Sequence, residues 1–163
     1  IMMQTDKEAA ERLLKNVGND VRRLSHELIP PRFDNASLSE LVCTYCQSMS
    51  AENGTIVKPF VSRSFEKLNL TSRTALEVYR IVQESVSNAI KYGYSKMITV
   101  TLDASNNQAS LCIANDISPE HPITQGKMGI GKDTLKMRTE ALKAVLTISE
   151  QDEEYKVEVR FPL

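Results

Sequence analysis

"IVQESVSNAIKYG", residues 81–93, sets a carboxylate (Glu84), a carboxamide (Asn88) and a cation (Lys91) inside an otherwise apolar run. At ~100° per residue, a helix here gathers Leu76, Tyr79, Val82, Val86, Ala89 and Ile90 on one side. Arg80, Glu84, Ser87, Asn88 and Lys91 gather on the other. Glu84 and Asn88 are four apart, so their heads are neighbours. Taken alone, the stripe is what any amphipathic helix shows to water. It also suits a face turned to a phosphate–metal group. Asn88 offers a neutral carbonyl oxygen to Mg²⁺ that already carries phosphate oxygens. Glu84 can orient or deprotonate an attacking group, and Lys91 can sit beside phosphate charge.

Upstream, Thr71 or Ser72 opens this helix. Before it, "TIVKPFVSRS" (55–64) reads as a strand, and Pro59 places it at a sheet edge. Asn53-Gly54 turns the chain out of a helix over 37–51, capped by Ser37 with Glu40 three residues on. Pro30-Pro31 stops an earlier helix over 5–28. There Ala10, Leu14, Val17, Val21, Leu24 and Leu28 alternate steps of four and three, the seam spacing of a helical bundle or dimer.

Downstream, "KMITVTLD" (96–103) and "QASLCIAN" (108–115) form a hairpin across Asn106-Asn107. "VLTISE" (145–150) and "YKVEVRFPL" (155–163) form a second. In the last strand Tyr155, Val157, Val159 and Phe161 share one face, and Lys156, Glu158 and Arg160 the other. Cys112 reads as a small core residue in its strand. Between the hairpins lie a loop over 117–131, with Gly126, Gly129 and Gly131, and a helix over 133–143. Backbone amides at such glycines, ahead of a helix N-terminus, make an anion site. The fold class is α/β: a two-layer sandwich of a mixed sheet with helices on one face, plus an N-terminal bundle helix. The division expected is 1–31 for that helix and 32–163 for the α/β domain.

The 163 residues carry a net charge of −1, which argues against a nucleic-acid partner. Three cysteines suit a reducing compartment, and the single C-x-x-C at Cys43 and Cys46 lacks a second ligand pair. No apolar run approaches the ~20 residues of a membrane span, and no signal peptide is recognised. The expectation is a cytoplasmic piece, joined to a membrane only through segments upstream.

"YRIVQESVSNAIKYG" resembles the N box of sensor histidine kinases, whose ATP-binding domain has the GHKL (Bergerat-type) fold. "GIGKDTLKMRTEAL" resembles the Gly box that follows it. "VRRLSHELIPPRF" resembles the end of the second dimerisation helix in the branch with NarL-type response regulators. The resemblance implies ATP and Mg as ligands, with Asn88 on the metal, Glu84 polarising the acceptor or a water, and Lys91 beside phosphate. It implies Gly129 and Gly131 in a lid over the triphosphate, and Asn115, with Asp116 beside it, at the adenine amine. It also implies a homodimer through the N-terminal helix and a response regulator as partner.

Departures from the family pattern bear on this. "NDISPEH" (115–121) lacks both glycines of the usual D-x-G-x-G, Tyr92 and Gly93 replace His-Ala, and Lys132 and Thr134 replace Leu and Asn. The alternative is therefore a degenerate GHKL domain, a regulatory or dimerisation module without kinase activity. A GHKL ATPase or an anti-sigma type kinase also stays open, though the bundle helix speaks against it. His26, in "SHELIPP", is a candidate phosphoacceptor by its letters alone. The helix at 37–51, the strand at 55–64 and the start of the N-box helix use nearly all the residues between His26 and Asn88. No second bundle helix fits there, so the acceptor is expected upstream of this chain.

Overall fold

The computed structural model describes residues 14, 17, 18, 33, 35–93, 95–117, 129–151 and 153–163; for 129–132 only the backbone is described. The chain divides into two compact units, Ile1–Arg32 and Phe33–Leu163. Of the first, Leu14, Val17 and Gly18 are helical, and Leu14 and Val17 are 72% and 51% exposed. The rest of the expected seam and His26 lie outside the described residues, as does Gly126.

In the second unit, α1 (Leu38–Asn53) starts where the sequence says it should. Ser37 Oγ accepts from the Glu40 amide at 3.2 Å, and the Ser37 amide donates to the Glu40 carboxylate at 2.7 Å. Gly54 ends the helix at φ 68°, a left-handed conformation that glycine adopts without a Cβ penalty. β1 (Ile56–Val61) follows, then a four-residue helix, α2 (Arg63–Glu66), capped by Ser62. The strand expected over 55–64 ends at Val61, and its last two residues open α2 instead. The correction is local: Ser62 Oγ takes the Phe65 amide, and Phe65 drops into the core.

α3 (Ser72–Gly93) is the long helix, with Thr71 Oγ1 accepting from the Thr74 amide at its start. Next come β2 (Met97–Ser105) and β3 (Gln108–Asp116). Asn106 and Asn107 join them at φ 49° and 63°, the two left-handed residues of a type I′ hairpin turn. α4 (Gly129–Ala141) precedes β4 (Val145–Gln151) and β5 (Glu154–Pro162). α4 begins four residues before the expected start, so Gly129 and Gly131 belong to its first turn rather than to a loop ahead of it.

The sheet order is β1-β2-β3-β5-β4; β1 runs parallel to β2 and the other neighbours are antiparallel. β1, with Pro59, is an edge strand as expected. Ile98, Val100 and Leu102 of β2, Leu111 and Ile113 of β3, and Val157, Val159 and Phe161 of β5 are buried on one face. At ~1.5–3 kcal/mol per large side chain buried, this face is the main anchor of the helices. α3 packs on β2 and β3, with α1 on one flank and α4 on the other. The ring of Tyr45 meets that of Tyr79 edge-on at 6.0 Å, and its hydroxyl donates to the Gln83 carbonyl at 3.2 Å.

Three sequence expectations shift. Cys112 is half-buried on the outer face of β3, because Leu111 and Ile113 take the inward phase. Leu76 and Ile90 are half-buried too, while Val78 and Ile81 are fully enclosed. α3 is flanked by helices on both sides, so its buried arc is wider than a simple two-sided pattern predicts.

Candidate functional site

Ser85, Asn88, Ala89 and Tyr92 recur at helical spacing along α3 and face one cleft. Asn115 and Ile113 from β3, Tyr155 and Val157 from β5 and Leu135 from α4 complete its walls. A mostly apolar cleft with a few converging polar groups is the usual form of a small-molecule site. The structure thus brings Asn88 and Asn115, two residues singled out from sequence, to one cleft.

Asn115 is held firmly. It is 4% exposed, and its Nδ2 donates to Ser95 Oγ at 2.9 Å and to the Asp116 carbonyl at 3.0 Å. Ser95 Oγ in turn lies within hydrogen-bond reach of the Ala89 carbonyl at 3.3 Å and the Asp116 carbonyl at 2.9 Å. With both amide protons engaged, Asn115 offers a ligand its carbonyl oxygen. Gly93 makes this possible: a Cβ there would sit 2.7 Å from Ser95 Oγ and 3.0 Å from Asn115 Nδ2.

Asp116 behaves differently from its neighbour. Its carboxylate accepts from the backbone amides of Lys96 and Met97 at 2.9–3.2 Å, tying the start of β2 to the end of β3, and it does not line the cleft. Lys91 is exposed, one turn past Asn88, and is not part of the lining either.

Glu84 lies one turn before Asn88 and is half-buried. Burial pushes its carboxyl above the usual range, and the nearby Arg138 guanidinium pulls it back in part. Arg138, on α4, bonds Glu77 at 2.9 Å through Nη1 and places Nε 3.9 Å from a Glu84 oxygen. That Nε is buried without a hydrogen-bond partner among the described residues. One arginine therefore ties the helix after the glycines to Glu77 of α3 and sets its charge beside Glu84. Sequence reasoning missed Arg138, Ser85, Ser95 and Tyr155. Gly93 appeared in it only as a departure from a pattern.

Solved structures share this fold. The histidine kinase domain of the blue-light activated histidine kinase EL346 from Erythrobacter litoralis superposes with a TM-score of 0.63 at 14% identity, over 89% of this chain and 72% of that one. The chain has the fold of a histidine kinase catalytic domain. The NMR structure of the histidine kinase domain of the E. coli osmosensor EnvZ agrees, with a TM-score of 0.56 at 17% identity, over 78% and 87% of the two chains. In sequence, the chain resembles the sensor histidine kinase MctS of Rhizobium johnstonii, at 24% identity over 136 residues. That match covers 82% of this chain and 29% of the relative. The oxygen sensor histidine kinase NreB of Staphylococcus carnosus is 30% identical over 97 residues, 60% of this chain and 27% of the relative. The chain thus spans less than a third of these curated relatives. No family model matches. Among the described residues, no helix is long and apolar enough to cross a membrane.

Proposed function

We propose that this chain is the ATP-binding catalytic part of a sensor histidine kinase. It passes the γ-phosphoryl group of ATP to a histidine, and from there to an aspartate of a NarL-type response regulator. The observation that carries this reading is the convergence of Asn88 and Asn115, from a helix and a strand far apart in sequence, on one cleft. The relatives' names, sensor histidine kinases, support the same reaction class.

The donor set suits a magnesium nucleotide. Asn88 is a neutral carboxamide at the half-buried rim of the cleft, and it would hold the metal beside phosphate oxygens. Mg²⁺, when bound, supplies positive charge to those oxygens. The Asn115 carbonyl accepts from the adenine amine while the apolar walls take the ring. Glu84, whose carboxyl burial pushes above the usual range, orients the attacking group or a water. Backbone amides of the first turn of α4, with Gly129 and Gly131, face phosphate charge, and Lys91 adds a cation nearby. Positioning and charge stabilisation supply most of the rate in phosphoryl transfer.

The acceptor histidine lies in a segment upstream of this chain, and the N-terminal helix dimerises, its exposed Leu14 and Val17 forming part of the seam. The full-length protein, given γ-labelled ATP and Mg²⁺, should acquire acid-labile label. Asn88→Ala should abolish it and His26→Gln should leave it. Loss of label in His26→Gln would overturn the acceptor assignment. No label at all, with stable dimers, would favour the regulatory module to which "NDISPEH" points.

A further inference from the structure

The cleft holds two polar groups with no assigned role. Ser85 and Tyr155 line it, at 5% and 7% exposure, and neither hydroxyl oxygen has a hydrogen-bond partner among the described residues. They come from different elements. Ser85 lies three residues before Asn88 on the cleft-facing stripe of α3. Tyr155 stands directly opposite Asn115 in the β3–β5 register, on the same inward face. Buried hydroxyls are normally bonded, so a pair left over beside one ligand-facing carbonyl calls for a reason.

We propose that Ser85 and Tyr155 read the base edge of the nucleotide, donating hydrogen bonds to the ring nitrogens beside the adenine amine. The proposal rests on the ATP reading above. Asn115, its amide protons engaged by Ser95 and the Asp116 carbonyl, can only accept from a ligand. Adenine meets that acceptor with its 6-amino donor, and the nitrogens flanking the amine, N1 and N7, are acceptors that need donors. A hydroxyl carries one proton free to rotate, and these two are not engaged elsewhere in the described fold. Guanine would set its O6 against the Asn115 oxygen, acceptor against acceptor. In this assignment the Asn115 carbonyl accepts and the two hydroxyls donate, the complement of adenine's edge.

The test is titration of the full chain with Mg·ADP and with its 1-deaza and 7-deaza analogues, in which a ring nitrogen becomes CH. Ser85→Ala and Tyr155→Phe should each weaken Mg·ADP about three- to tenfold. Each should also lose the wild type's penalty for one of the two analogues, the sign that hydroxyl and nitrogen interact. Ligand-free unfolding temperatures should not fall, because each substitution removes an orphan group rather than a bond. A variant that binds Mg·ADP within twofold of wild type, keeps both analogue penalties, or unfolds earlier without ligand overturns the assignment of its residue. If those results come with Mg·ADP binding that Asn88→Ala abolishes, the nucleotide reading stands without this proposal. Absence of Mg·ADP binding in the wild type overturns both.

Discussion

Gly93→Ala tests the local architecture of the cleft, because the cost is set by two distances. The new methyl would lie 2.7 Å from Ser95 Oγ and 3.0 Å from Asn115 Nδ2, closer than side-chain carbons ordinarily approach. Either Ser95 moves and loses its contacts with the Ala89 and Asp116 carbonyls, or Asn115 turns and presents its amide in place of its oxygen. Overpacking of this kind costs about 1–3 kcal/mol, and the better helix propensity of alanine returns less than about 1 kcal/mol at a helix end. At roughly 2–4 °C per kcal/mol for a chain of this size, thermal unfolding should come several degrees earlier. Mg·ADP affinity should fall about tenfold as the carbonyl leaves its place. Gly54→Ala is the control: its φ of 68° strains an alanine, but no atom lies within 4 Å of the added Cβ. It should lose stability and keep nucleotide affinity. A Gly93→Ala protein that unfolds with the wild type and binds Mg·ADP within twofold would refute the reasoning.

Two further substitutions separate roles along the same stretch. Burial holds the Glu84 carboxyl above its ordinary range, so the folded state keeps that proton to higher pH than the unfolded chain. Glu84's contribution to stability therefore falls as pH rises through its folded range. Glu84→Gln should unfold at a higher temperature than wild type at pH 7, with the gain gone below the ordinary carboxyl range, and should lose phosphoryl transfer; a less stable variant at pH 7 would contradict the sign. Asp116→Ala, which removes the acceptor of the Lys96 and Met97 amides, should cost about 1 kcal/mol while Mg·ADP affinity stays within twofold; calorimetry on the variant checks both.

The elements that the sequence revealed are those governed by local chemistry. Ser37 with Glu40 marks a helix start, Asn106-Asn107 a tight turn, and the alternation of Tyr155, Val157, Val159 and Phe161 an inward face. Where the apolar run is unbroken, phase is lost: Cys112 sits between two apolar residues, and only pairing with the flanking strands puts it outside. A four-residue helix such as α2 has no period to read. For the site, Asn88 and Asn115 were legible through motif resemblance, since spacing within one helix says nothing about a strand that meets it. The contact of Arg138 with Glu77 and Glu84 spans two helices far apart in the chain, and the unpartnered state of Ser85 and Tyr155 depends on what every neighbour already bonds. Neither leaves a trace in residue order.

The central claim is that Asn88 and Asn115 share one magnesium nucleotide. Isothermal titration with ADP, with and without Mg²⁺, on wild type, Asn88→Ala and Asn115→Ala addresses it most directly. The account predicts saturable, Mg²⁺-dependent binding in the wild type. It predicts that Asn88→Ala abolishes this binding and that Asn115→Ala weakens it whether or not the metal is present. Equal binding by Asn88→Ala and wild type, or a wild-type affinity indifferent to Mg²⁺, would contradict it.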